Sequence, residues 1–204
     1  MTQLPMFPLG MVVFPYTAVP LRVFEPRYQH LLDDVLAGDR TFGTVLIERG
    51  SEVGGGDERF DVGTAVRVAS VGRLPESDHR QIIVAATHRI RVGGWLAEEP
   101  YPLAEVENYP DADEEVSADL VDDVHTKVRR VLALASELGA DTSGITTDLA
   151  TDPVTASYQA AALTPVTPLD AQALLAASGP GNRLRMCVDM LIESADNLSR
   201  QLGS

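Results

Sequence analysis

Apolar positions change rhythm three times along this chain. From Leu4 to Phe24, large apolar residues crowd between prolines at 5, 8, 15 and 20. Each proline fixes φ and removes a backbone donor, so the stretch predicts short extended pieces kinked at each proline, neither an ordinary central strand nor a helix. A helical period then takes over. Tyr28, Leu31, Leu32, Val35 and Leu36 recur at i, i+3, i+4, i+7 and i+8 behind Pro26, which suits a first helical position, and Gly38 closes the turn.

Between 42 and 107 the rhythm is β-like. Runs at 42–48, 62–74, 81–87, 89–92 and 103–107 read as strands, with Val66, Val68 and Leu74 as inward positions. Gly54-Gly55-Gly56, Pro75-Glu76-Ser77-Asp78, Gly93-Gly94 and Glu99-Pro100 read as the turns between them. Strands at this spacing with one inserted helix predict a small closed or half-closed barrel. From Asp113 the period is helical again, with Leu120, Val121, Val124, Val128, Val131, Leu132, Ala135 and Leu138 on one stripe and Asp113-Glu114-Glu115 near its amino end. Further helices are predicted over 153–163 behind Asp152, from 168 to 177 behind Thr167, and through Leu184, Cys187, Val188, Leu191, Ile192, Ala195 and Leu198. The expected boundary between a β part (1–110) and a helical part (111–204) lies near Tyr109-Pro110-Asp111.

The order "LPMFPLGMVVFPYTAVPLRVFEPRYQHLLDDVL", followed by Asp39-Arg40-Thr41-Phe42-Gly43-Thr44-Val45-Leu46-Ile47, resembles the amino-terminal, substrate-binding domain of Lon proteases. The likeness continues through Val62-Gly63-Thr64-Ala65, the region 82–92 and Tyr101-Pro102-Leu103-Ala104-Glu105-Val106-Glu107. Asp152-Pro153 and Ser157-Tyr158-Gln159-Ala160-Ala161-Ala162-Leu163 resemble its helical part. The chain departs from the family at Ala86-Thr87-His88-Arg89-Ile90, read here as a hairpin, where members often carry glycine and an aromatic residue. The resemblance implies an α+β fold: an N-terminal PUA-like pseudo-β-barrel with one inserted helix, then a C-terminal α-helical bundle. It also implies capture of exposed hydrophobic segments in damaged or degron-bearing proteins.

Charge narrows the partners. Thirty acidic and sixteen basic residues give a net charge of −14, with 15 acidic and 10 basic residues in 1–110 and 15 acidic and 6 basic in 111–204. Such a surface repels nucleic-acid phosphate unless a local patch overrides it. Arg67, Arg73, Arg80, Arg89 and Arg91 are the candidates for that patch, which keeps a PUA-like RNA- or small-ligand-binding protein open as the alternative. Hydrophobic content of 45% is ample for a core, no apolar run approaches the about 20 residues of a membrane span, and no secretory signal is read at the amino end. One cysteine, Cys187, fits a reducing, cytoplasmic setting.

Reactive constellations are missing from the sequence. It contains no G-x-x-x-x-G-K-[ST] motif, and its single lysine, Lys127, falls within a predicted helix. Asp57-Glu58 after the glycine triplet would repel phosphate. Neither G-x-S-x-G nor H-E-x-x-H occurs, and His30, His79, His88 and His125 are dispersed without metal-ligand spacing. Cys187 sits on an apolar helix face as an inert core thiol. Asp122 and Asp123 are adjacent and point to different helix sides, so they form no acid/base pair. No catalytic residue, metal or cofactor is expected.

What remains is binding. Phe7, Leu9, Met11, Phe14, Tyr16 and Leu21, with Glu25 and Arg27 at the helix start, are the candidate substrate-binding residues. Most of the apolar ones also suit barrel packing, and Glu25 and Arg27 also suit support of the helix start. A small-molecule enzyme reading would need Glu25, Arg27 and His88 to cluster around a deep pocket. The favoured expectation is a stand-alone Lon-like substrate-recognition or adaptor module without ATPase or protease machinery. Its expected partners are unfolded or client polypeptides and a Lon-type protease, with no membrane and no nucleic acid.

Overall fold

Pro5 and Pro8 lie inside β1 (Thr2–Leu9), which has a strand on either side. The expectation that no ordinary interior strand forms here is thereby corrected. The computed structural model, which describes residues 1–50, 58–73, 79–142 and 145–203, shows the reason. β6 (Leu103–Asn108) pairs antiparallel with residues 2–5, and β3 (Thr41–Arg49) pairs parallel with residues 6–9. The Met6 N–H donates to the Pro102 carbonyl at 2.8 Å, so even positions of β1 face β6 and odd positions face β3. Pro5 therefore lacks an N–H towards β3 before that pairing starts, and Pro8 lacks one towards β6 after that pairing stops. Neither ladder loses a bond.

The sheet order is β2-β5-β4-β3-β1-β6, with β2 (Ala18–Val23), β4 (Glu58–Arg73) and β5 (Arg80–Trp95). Because β6 also pairs with β5, strands β1, β3, β4, β5 and β6 close into a ring, and β2 extends it from β5. The runs 81–87 and 89–92 are thus one continuous strand, not two. A register shift around Thr87 absorbs the departure at 86–90, and a second at Gly93 keeps the expected Gly93-Gly94 turn inside the strand. Leu74, Gly54-Gly55-Gly56 and Pro75-Glu76-Ser77-Asp78 lie outside the described residues.

α1 (Pro26–Ala37) follows the predicted period. Its Tyr28, Leu31, Leu32 and Val35 are buried in one core with Phe7, Leu21, Val23, Phe42, Val66, Val68, Ile82 and Val84. Each such side chain contributes about 1.5–3 kcal/mol relative to exposure. A second cluster gathers Met6, Val45, Ala65, Ile90, Ala104 and Val106.

The chain divides into two compact units, 1–110 and 111–204. The second is helical: α2 (Ala118–Glu137), α3 (Pro153–Leu163), α4 (Pro168–Ala176) and α5 (Pro180–Leu202), with α5 packing against the other three. Asp152 and Thr167 cap α3 and α4 as the sequence suggests. α2 starts later than the acidic run, at an N-cap Ser117, so Asp113-Glu114-Glu115 does not serve its dipole. Glu114 reaches α5 instead, where its carboxylate accepts from the backbone N–H groups of Gly181 and Asn182. Those donors are orphans of the first helical turn, and no side chain of the N-cap Gly179 can serve them.

Candidate functional site

A cleft of about 330 Å³ opens in the first unit, lined by Phe7 and Leu9 of β1, Met11 beyond it, Pro20, Leu21 and Arg22 of β2, and Phe24, Glu25 and Tyr28 at the start of α1. Local folding brings these together for separate reasons. Phe7 and Leu9 alternate to the core side of β1, and Phe7 rests against Tyr28 with ring centroids 4.2 Å apart. Leu21 is buried because β2 alternates inward at Leu21 and Val23. These residues make an apolar floor. Met11 and Phe24 remain 47% and 42% exposed, which makes them the rim.

The chain between β1 and β2 is held from below. The buried Thr64 hydroxyl donates to the Val13 carbonyl at 2.6 Å, and Thr17 donates to the Phe14 carbonyl at 2.6 Å. Met11 therefore sits on an anchored turn.

β2 lies at the end of the strand order, so its outer edge carries no strand among the described residues. The Ala86 N–H donates to the Thr17 carbonyl, and Pro20 stands opposite Ile83 in an unshifted register. Counting by twos, Leu21 and Val23 exchange bonds with β5, while Pro20 and Arg22 turn their main-chain groups outward. Pro20 offers only a carbonyl there; Arg22 offers both a donor and an acceptor. A proline on the free edge discourages uncontrolled strand pairing.

Of the eight residues singled out from sequence, the structure brings Phe7, Leu9, Met11, Leu21 and Glu25 to one cleft. Phe14 is buried outside the lining, and Tyr16 is 49% exposed with φ of 61°. Arg27 also lies outside it: its Nε donates to Glu25 at 3.1 Å, Nη1 lies 4.0 Å from Glu98, and its guanidinium stacks 4.5 Å from the Tyr28 ring centroid. Glu98 in turn binds Arg59 at 2.6 Å. Glu25 and Arg27 thus tie the helix start to the loop before β6. Glu25 is the N-cap of α1 by backbone geometry, without a side-chain cap bond.

Sequence reasoning missed Pro20, Arg22 and Phe24 as lining residues, and treated Tyr28 only as core. The signal was the alternation in Ala18-Val19-Pro20-Leu21-Arg22-Val23, which the proline masked.

Of the five arginines proposed as an RNA face, three are engaged within the chain. Arg89 and Arg91 both stack on Tyr109, at 4.4 and 3.8 Å, and Arg89 is only 3% exposed. Arg80 is paired with Asp33. His88, in the middle of β5, contacts the Thr87 hydroxyl at 3.0 Å and does not line the cleft, so Glu25, Arg27 and His88 form no shared site. No group of three metal-ligating side chains occurs among the described residues, and no described helix is long and apolar enough to cross a membrane.

The second unit has a groove of about 560 Å³ lined by Pro165, Val166, Thr167, Asp170, Met190, Glu193, Ser194 and Asn197. Its Asp170 is already engaged with the Thr167 hydroxyl at 2.7 Å in the α4 cap. Deeper in this unit, Arg183 is fully buried. It donates to the Leu174 carbonyl, the Ser157 hydroxyl and the Asp111 carboxylate at 2.9, 2.7 and 2.6 Å, and stacks 3.7 Å from the Tyr158 ring centroid. Tyr158 donates to the same carboxylate at 2.8 Å. Every strong donor is matched, which describes a structural hub. Burial pushes the Cys187 thiol up to about 11, so it is no nucleophile at neutral pH.

Residues 3–193 match the family model described as the ATP-dependent protease La (LON) substrate-binding domain. Lon protease 2 of Sorangium cellulosum is 33% identical over 149 residues, covering 70% of this chain and 18% of that protein. Lon protease 1 of Herpetosiphon aurantiacus is 28% identical over 177 residues, 82% of this chain and 21% of its own length. The chain thus spans about a fifth of these curated relatives. A Lon N-terminal domain protein from Xanthomonas campestris superposes with a TM-score of 0.70 at 25% identity, covering 93% of this chain and 98% of that one. The N-terminal domain of a Mycobacterium avium complex Lon protease gives 0.68 at 18% identity, with coverage of 94% and 99%, and supports the fold alone.

Proposed function

The chain belongs to the Lon substrate-binding domain family, and we propose that it captures unfolded or degron-bearing polypeptides through the cleft beside β2. We read its barrel as PUA-like. The observation that carries the proposal is the meeting of an apolar floor, an exposed aromatic and thioether rim and a free strand edge at one place. An extended client inserts large apolar side chains between Met11 and Phe24 and pairs its main chain with the outward groups of Arg22. A folded protein hides such side chains, so selectivity for damaged clients follows from the chemistry of the floor.

Capture here involves no bond-breaking. The sequence holds no phosphate-binding loop, and the cleft brings together no nucleophile, base and oxyanion donors. Hand-over of clients to a Lon-type protease is the role we assign to the module. Titrating fluorescein-labelled, chemically unfolded casein with the protein tests the proposal by anisotropy. Saturable binding that an apolar peptide competes away is expected; a flat titration overturns it.

A further inference from the structure

Among the described residues, Arg22 is the one lining residue of the cleft whose charge has no partner. The other charged one, Glu25, is neutralised by the Arg27 guanidinium at 3.1 Å. Arg22 itself is exposed and makes no hydrogen bond or ion pair with a described residue. The nearby cation Arg80 is already committed to Asp33. A guanidinium without a partner among the described residues, set beside an apolar floor in a chain of net charge −14, marks a preference that bulk electrostatics would not give.

From this we infer that the cleft selects extended segments in which an acidic side chain stands between two large apolar ones. The inference rests on the capture reading above and sharpens it. Arg22 turns both its N–H and its carbonyl to the free edge, so a chain lying along that edge pairs with it there. The client residue directly opposite then has its side chain on the same face as the guanidinium. Its neighbours before and after point to the other face, the one on which Leu21 contributes to the floor. Apolar, acidic, apolar is the pattern that satisfies all three positions. Pro20 adds a constraint, since a carbonyl without an N–H accepts a bond but gives none, and the pairing therefore centres on Arg22.

The test uses amidated, fluorescein-labelled decapeptides with serine–glycine flanks around leucine–glutamate–phenylalanine, and the same peptide with glutamine or lysine in the middle. Anisotropy at low salt is read on the intact chain and on Arg22→Ala and Arg22→Glu, both surface changes whose folding is checked by circular dichroism. The chain should bind the glutamate peptide roughly three- to fivefold more tightly than the glutamine one, and the lysine peptide most weakly. Arg22→Ala should remove that ranking, Arg22→Glu should reverse it, and salt should compress it. Equal binding of all three peptides by the intact chain overturns the inference while leaving the capture reading standing. A glutamate preference that survives in Arg22→Glu overturns it by assigning the preference to another cation. A free-acid glutamine peptide that equals the amidated glutamate peptide, with the same dependence on Arg22, replaces the internal acid by a chain terminus. No saturable binding of any peptide removes both readings together.

Discussion

Arg183 and Asp111 meet at 2.6 Å across 72 residues of sequence, with the guanidinium fully enclosed and the carboxylate 10% exposed. Such a pair does not advertise stability by itself, because desolvation offsets much of the attraction. Its removal from one side is a different matter. Arg183→Met leaves the Asp111 carboxylate without its buried partner and should cost about 3–5 kcal/mol. Urea unfolding followed by circular dichroism measures this; a loss below about 1 kcal/mol would show that the hub is dispensable.

Glu114 is the anion that α5 uses at its start. Glu114→Gln keeps the shape and drops the charge, and should lower stability by about 0.5–1 kcal/mol. Glu114→Ala, which also leaves the Gly181 and Asn182 N–H groups without this acceptor, should cost about 1–2 kcal/mol. Gly179→Ala should behave like the harsher variant, since a Cβ there would fall 2.7 Å from Glu114 Oε1. Thermal melts of the four proteins should rank in that order, and Glu114→Ala melting with the parent would refute the capping role.

Cys187 should be silent towards thiol reagents until the helical unit opens. With its value raised from 9.0 to about 11 by burial, its thiolate fraction at pH 8 drops from roughly one in ten to one in a thousand. The shift also carries a sign for stability. The favourable contribution is complete below 9.0, where the unfolded thiol is still protonated, and is lost as pH rises towards about 11. Rapid modification by Ellman's reagent in native buffer would contradict the packing described. Cys187→Ala should flatten the alkaline part of the stability profile.

Asp152 carries the opposite sign. Hydrogen bonds from the Thr155 backbone N–H and then its hydroxyl hold the carboxyl below its ordinary 3.8. The cap therefore contributes above that pH and weakens as the pH falls through the lowered value. Asp152→Ala should remove about 1 kcal/mol at neutral pH and make little difference in strong acid. Melting curves at pH 7 and pH 2 decide this, and an equal effect at both would defeat it.

Phe24→Ser should weaken capture of an apolar peptide by about tenfold while leaving the melting temperature within a few degrees, because the ring is 42% exposed at the rim. A variant that binds normally would move the site away from this cleft.

Periodic segments were legible because one side of each is buried. Tyr28, Leu31, Leu32 and Val35 name their helix, and Asp152-Pro153 and Thr167-Pro168 name two others through capping chemistry. Strands were harder. The proline rule hid β1 and β2, since it holds for a strand paired along its whole length and β1 is paired in two halves. Gly93 and Gly94 looked like a turn because a bulge and a turn ask the same backbone freedom of glycine. Glu114 was assigned to the nearer helix, and only the fold shows that a more distant one receives it. Phe7, Leu9, Met11 and Leu21 converge because they belong to one apolar surface, and Glu25 joins them from the start of α1; Phe14 and Tyr16 share the apolar composition but do not line the cleft.

The two halves of β1 have a consequence for how the closed sheet finds its alignment. Slide the strand by two residues one way and Pro8 enters the β6 ladder without a donor; slide it the other way and Pro5 does the same against β3. Only one phase leaves both ladders whole. The imino acids thus act as end stops, and an otherwise slippery apolar ribbon arrives at a single setting.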